Sequence, residues 1–143
     1  MNEVTEILDE KGRDVLRIEA DASVFEAVRR MVERNVGSLL VTEGGEITGI
    51  LTERDYLRRV TLEGRGDKDI AVREIMSSPL VVATPETSID ECMAIMTDRR
   101  IRHLPVVEGG EVVGLVSIGD LVKFKSKQQS FEIQYLTDYI TSR

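Results

Sequence analysis

Apolar positions along the chain recur with two different periods, and the two alternate. Val24, Ala27, Val28, Met31 and Val32 are spaced by one, three or four residues, which places them on one face of an α-helix, and Ile89, Cys92, Met93 and Met96 repeat the stripe. Each stripe is announced by a serine with a glutamate three residues on, Ser23-x-x-Glu26 and Ser88-x-x-Glu91. In such a capping box the hydroxyl and the carboxylate satisfy free amides of the first turn. Short apolar runs predict strands: Val15 to Ile18 and Leu80 to Val82 before the helices, then Leu39 to Val41 with Ile47 to Leu51, and Leu104 to Val107 with Val112 to Val116, after them. Glu-Gly-Gly-Glu joins each of the latter pairs, a hairpin turn, and a helix starting at Thr52 or Ser117 closes each set.

The order strand, helix, strand, strand, helix therefore occurs twice. Val15 to Tyr56 slides onto Leu80 to Leu121 at a shift of 65 residues without a gap, with 12 of 42 positions identical, so the chain is a tandem repeat. The lead-ins agree as well, since Val4-x-Glu6-Ile7-Leu8 echoes Val72-x-Glu74-Ile75-Met76. The predicted division is a first domain over 1–62 with its lead-in, a polar linker over 63–71 around Glu63-Gly64-Arg65-Gly66-Asp67, a second domain over 72–126 and a tail over 127–143. Phe131, Ile133, Leu136, Tyr139 and Ile140 predict a helix in that tail, covered either by its own module or by a partner subunit.

Gly49-Ile50-Leu51-Thr52-Glu53-Arg54-Asp55 and Gly114-Leu115-Val116-Ser117-Ile118-Gly119-Asp120, together with Val82-x-x-Pro85-x-x-Ser88 and Arg102-His103-Leu104-Pro105-Val106-Val107, resemble the CBS domain pair, or Bateman module. The resemblance covers nearly the whole chain and implies an α+β fold of two β-α-β-β-α units packed pseudo-symmetrically through their sheets. It also implies clefts that hold adenine nucleotides (AMP, ADP, ATP or NAD(H)), and assembly into a disc-like homodimer.

A ribonucleotide offers vicinal hydroxyls, an anionic phosphate and an apolar base, and the resemblance distributes those contacts. Asp120 would accept from the ribose and Ser117 donate to the phosphate beside Ile118 and Gly119, at a helix N-terminus whose amides favour anions. Arg102 and His103 would face the phosphate, while Ala83 and Thr84 offer backbone groups to the adenine edge. Asp55, Thr52 and Ser38 hold the equivalent places in the first repeat. Thr/Ser-x-x-Asp is also close to a capping box, and Arg99 and Arg100 fit a solvated helix end. Gly37 and Ser38 stand where the second repeat has Arg102 and His103, so the two clefts are not equal and the second has the fuller set.

Composition narrows the functional classes. With 143 residues and 41% hydrophobic content, the chain can bury about two thirds of its unfolded surface. It carries 19 basic against 26 acidic side chains, which opposes non-specific nucleic-acid binding, and any anionic ligand needs a local positive patch. No apolar run is long enough to span a membrane, and a cytoplasmic location is expected. Only Cys92 and His103 represent their residue types, too few for zinc ligation or Cys-His catalysis. The expectation is a regulatory module, without catalysis or metal, that binds an adenine nucleotide and modulates another protein, or else a ligand-free scaffold that dimerises.

Overall fold

The computed structural model describes residues 2–64, 66–78 and 80–128. Ser23 and Ser88 cap two helices as their spacing predicts, α2 over Val24–Arg34 and α4 over Ile89–Arg99. The second cap is a full box, with Ser88 Oγ accepting from the Glu91 amide at 3.0 Å and the Glu91 carboxylate accepting from the Ser88 amide at 3.2 Å. The first is half a box. Ser23 Oγ accepts from the Glu26 amide at 3.1 Å, but the Glu26 carboxylate takes Arg29 at 2.8 Å instead of turning back. Val24, Ala27 and Met31 are buried along α2, whereas Val32 is 73% exposed. At 3.6 residues per turn Val32 lies about 100° round the helix from Met31, beyond the edge of the buried stripe.

Besides these, the described residues form α1 (Val4–Lys11), α3 (Glu53–Tyr56) and α5 (Ile118–Gln128), with strands β1 (Arg17–Glu19), β2 (Ser38–Glu43), β3 (Glu46–Thr52), β4 (His103–Glu108) and β5 (Glu111–Ser117). The first repeat's closing helix is short, and α3 passes into a π-helical turn over Leu57–Thr61. In one sheet β1 runs parallel to β2 and β2 antiparallel to β3; the other holds β4 and β5 alone. Both hairpins turn through paired glycines with positive φ, 61° and 84° at Gly44 and Gly45, 59° and 80° at Gly109 and Gly110.

The strand expected over Leu80 to Val82 does not form as a ladder, and two prolines, Pro85 and Pro105, are the reason. In the first repeat the Leu40 amide donates to the Leu16 carbonyl at 3.0 Å, and the Ala20 amide donates to Thr42. The residues equivalent to Leu40, Leu16 and Ala20 are Pro105, Val81 and Pro85, and proline has no N–H to give. What survives is one parallel bridge, Ala83 with Val106, made by the Ala83 amide to the Pro105 carbonyl at 2.9 Å and the Val107 amide to the Ala83 carbonyl at 2.8 Å.

The chain divides into two compact units. The first unit is Val15–Leu80; the second joins Met1–Asp14 to Val81–Arg143. Each unit recruits the lead-in that precedes the other repeat in sequence. The apolar side of α1 buries Val4, Ile7 and Leu8 in one core with Ile89, Cys92, Met96, Leu104, Val106, Val116 and Leu121. Val72 and Ile75 do the same with Ile18, Val24, Met31, Leu39, Val41 and Leu51. Both lead-ins cross a strand at a glycine that leaves room for them. A Cβ on Gly114 would stand 2.6 Å from Leu8 Cδ2, and one on Gly49 would stand 2.7 Å from Met76 Sδ and 2.9 Å from the Ser77 carbonyl. The tail helix predicted around Phe131 to Ile140 lies outside the described residues.

Candidate functional site

In the second unit the sheet register gathers the predicted residues at one end of the β4–β5 hairpin. His103 opens β4 directly opposite Ser117, the last residue of β5, and the Ile118 amide donates to the Arg102 carbonyl at 2.9 Å. This bond ties the start of α5 to the approach to β4, so Arg102, His103, Ser117, Ile118, Gly119 and Asp120 are neighbours. Arg102 is exposed and makes no ion pair among the described residues; His103 is half-buried. Arg99 ends α4, and Arg100 follows it in the left-handed conformation at φ 56°, with its amide bonded to the Met96 carbonyl. Those two arginines therefore belong to the helix terminus.

Asp120 closes a capping box. Its Oδ2 accepts from the Ser117 amide at 2.9 Å, and Ser117 Oγ accepts from the Asp120 amide at 3.1 Å. The same Oδ2 lies 2.5 Å from Lys11 Nζ, delivered by the last turn of α1, and Lys11 also donates to the Leu115 carbonyl at 2.9 Å. Even so, 23% of the Asp120 side chain is exposed, so the carboxylate is not sealed inside its own helix start.

The groups expected to meet an adenine edge are more fully used than the sequence suggests. Ala83 is buried and spends its amide and carbonyl on β4. Thr84 is exposed, but its amide donates to Thr87 Oγ1 at 2.9 Å and its carbonyl accepts from the Thr87 amide at 3.0 Å. Only the second lone pairs of the two carbonyls remain as acceptors. A cavity of about 200 Å³ in this unit is lined by Glu3, Thr5, Leu8, Arg13, Pro85, Glu86, Glu108 and Val113, none of which is a predicted site residue.

The first unit has the same frame with different occupancy. Ser38 is buried at the start of β2 and pairs in register with Thr52. Asp55 Oδ2 accepts from the Thr52 amide at 2.9 Å and from its hydroxyl at 3.1 Å, while Oδ1 accepts from the Ser77 hydroxyl at 3.1 Å. Both carboxylate oxygens are thus engaged by their own unit. Lys11 and Ser77 are the residues that sequence reasoning missed. The echo between the lead-ins was the available signal, because both donors follow the echoed segments, but nothing local shows which carboxylate they reach.

The first unit also carries an apolar groove of about 350 Å³ between α2 and α3, lined by Val28, Met31, Val32, Asn35, Val36, Glu53, Tyr56 and Leu57. Leu57 is 57% exposed beside the still more exposed Val32. Burial pushes the Cys92 thiol up to about 11, with Glu91 adding to the shift. Among the described residues no three His, Cys, Asp or Glu side chains cluster as a metal site, and no helix is long and apolar enough to cross a membrane.

Two α+β repeats, each closing on a capped helix whose start adjoins a hairpin end, define a tandem two-repeat module. The chain belongs to the CBS domain family, whose model matches residues 4–61 and 72–127. It is 39% identical over 146 residues to the mitochondrial CBS domain-containing protein CBSX3 of Arabidopsis thaliana, covering 96% of this chain and 71% of that one. Among solved structures it is similar to a protein with CBS domains from Burkholderia ambifaria MC40-6, at 45% identity and a TM-score of 0.86, covering 90% of this chain and 97% of that one. It shares its fold with the CBS domain pair of protein MJ0100, solved in complex with 5′-methylthioadenosine and S-adenosyl-L-methionine, at 22% identity and a TM-score of 0.77, covering 89% and 98%.

Proposed function

We propose that this chain is a sensor that binds an adenine nucleotide through its second repeat and thereby changes its affinity for a separate protein. AMP is the leading ligand, with ADP, ATP and NAD(H) as the wider class. The observation that carries this reading is the convergence of Arg102, His103, Ser117 and Asp120 at one hairpin end, in a chain of net charge −7. Asp120 keeps acceptor capacity at Oδ1 for a ribose hydroxyl, Arg102 offers a fork suited to phosphate oxygens, and the positive end of the α5 dipole favours an anion. That the fold holds adenosine-bearing ligands in protein MJ0100 supports the ligand class. In the first repeat, uncharged Gly37 and Ser38 and the doubly engaged Asp55 argue for one nucleotide per chain. Ligand binding that distinguishes two arrangements of the protein couples to a partner by about 1–3 kcal/mol.

The test is a thermal-shift and calorimetric series with AMP, ADP, ATP, NADH and S-adenosylmethionine, since a ligand that binds only the folded state raises its stability by mass action. At least one adenylate should raise the melting temperature in a saturable way. No shift with any of them overturns the sensor reading in favour of a ligand-free scaffold. The groove bearing Val32 and Leu57 supports a homodimer under either reading, because so much exposed apolar surface favours burial against a second copy. Light scattering on the wild type and on Val32→Glu should give twice the chain mass for the first and a lower mass for the second. A cytoplasmic site of action is proposed for this chain; its Arabidopsis relative is mitochondrial.

A further inference from the structure

Each closing-helix carboxylate is met by a donor from the lead-in strap of its own unit, and the two donors differ in kind. Asp55 Oδ1 receives the neutral Ser77 hydroxyl at 3.1 Å, whereas Asp120 Oδ2 receives the Lys11 ammonium at 2.5 Å. The ammonium is held in place rather than drifting. Lys11 sits in the last turn of α1, which packs onto β5 where Leu8 fills the space left by Gly114, and Nζ is anchored a second time on the Leu115 carbonyl. It is nevertheless easily rehydrated, since 38% of the Lys11 side chain is exposed.

We propose that Lys11 is a cationic plug on the nucleotide site, one that a ribose must displace before its two hydroxyls can engage both carboxylate oxygens of Asp120. The inference rests on the reading of Asp120 as the ribose anchor and adds a regulatory contact to it. Oδ2 accepts both the Ser117 amide and the ammonium, while Oδ1 accepts nothing among the described residues, so a diol that engages both carboxylate oxygens must take Oδ2 from Lys11. Displacement costs one partly exposed ion pair, which corresponds to roughly two- to fivefold in affinity. Linkage works in both directions: a ligand that expels Lys11 loosens the last turn of α1, and whatever holds that turn down weakens the ligand. Nucleotide occupancy is thereby transmitted to the N-terminal helix.

Adenosine is the decisive probe, because it has the diol but no phosphate to attract Lys11. Calorimetry on the full chain should show Lys11→Met binding adenosine about two- to fivefold more tightly than the wild type, with Lys11→Arg, which restores a cation, within about twofold of it. Raising KCl from about 50 to about 500 mM should tighten adenosine binding to the wild type and leave Lys11→Met unchanged, since salt weakens the plug. Hydrogen exchange at the Gly12 amide, bonded to the Leu8 carbonyl at 2.8 Å, should quicken when adenosine binds. Equal or weaker binding by Lys11→Met, in a wild type that does bind adenosine, overturns the plug and leaves the sensor intact. If neither protein binds adenosine or AMP, the sensor reading fails and the plug fails with it.

Discussion

Leu8 packs into the space that Gly114 leaves on β5, with a Cβ at 114 falling 2.6 Å from one Leu8 methyl and 2.8 Å from the other. Leu8 is 1% exposed and has little room to yield. Gly114→Val should therefore cost about 1–3 kcal/mol by overpacking, and Leu8→Ala about 2–5 kcal/mol by leaving a cavity. Combining them should cost less than the sum. Urea unfolding of the two single variants and the double one checks this, and strict additivity would show that the residues do not share the space.

Asp120 serves both the α5 cap and the proposed ribose contact, so the two roles need separate readouts. Asp120→Asn keeps an oxygen for the Ser117 amide and should hold stability within about 0.5 kcal/mol. Its AMP affinity should fall by about 1.5–3 kcal/mol, the range for a hydrogen bond to a charged group. The wild type should prefer AMP to dAMP. Calorimetry reads each comparison, and indifference to the 2′-hydroxyl removes the ribose role.

Arg102 is exposed and free of ion pairs among the described residues, so Arg102→Ala should leave the melting temperature nearly unchanged. It should weaken AMP by about 1.5–3 kcal/mol while sparing adenosine. A loss shared equally by both ligands would move Arg102 away from the phosphate.

Restoring an amide at 105 should rebuild one end of the missing ladder, the other still lacking a donor at Pro85. In Pro105→Leu, which copies Leu40 of the first repeat, the new N–H should bond the Val81 carbonyl and exchange slowly with deuterium. Net stability should move by less than about 1 kcal/mol, because the gained bond is offset by a freer unfolded chain. Rapid exchange at 105 would refute proline as the cause.

Cys92 is fully buried and its thiol is raised to about 11 from an ordinary 9.0. The folded protein at pH 8 should therefore react with a disulfide reagent roughly a hundredfold more slowly than free cysteine. The sign for stability follows: the thiol contribution is intact below pH 9, declines as the unfolded state ionises first, and is gone once pH passes about 11. Cys92→Ala should flatten that decline in thermal melts.

The repeat, both serine caps and both hairpins were legible, because each depends on residues within one element or at one fixed shift. The partner of each lead-in was not, since an apolar triplet such as Val4, Ile7 and Leu8 states that a face will be buried without saying against what. The failed ladder at Val81 could have been foreseen from Pro105, but only by pairing it with Leu40 across the repeat. Lys11 stayed hidden for a different reason, since its carboxylate lies 109 residues away and a single exposed lysine carries no pattern.

The exchange of lead-ins also sets an order of events during synthesis. The first unit finds every buried partner within the uninterrupted stretch Val15–Leu80 and needs nothing still on the ribosome beyond it. Lys11 must wait for Leu115, 104 residues later, so α1 emerges with Val4, Ile7 and Leu8 uncovered and needs chaperone cover until β5 has been made.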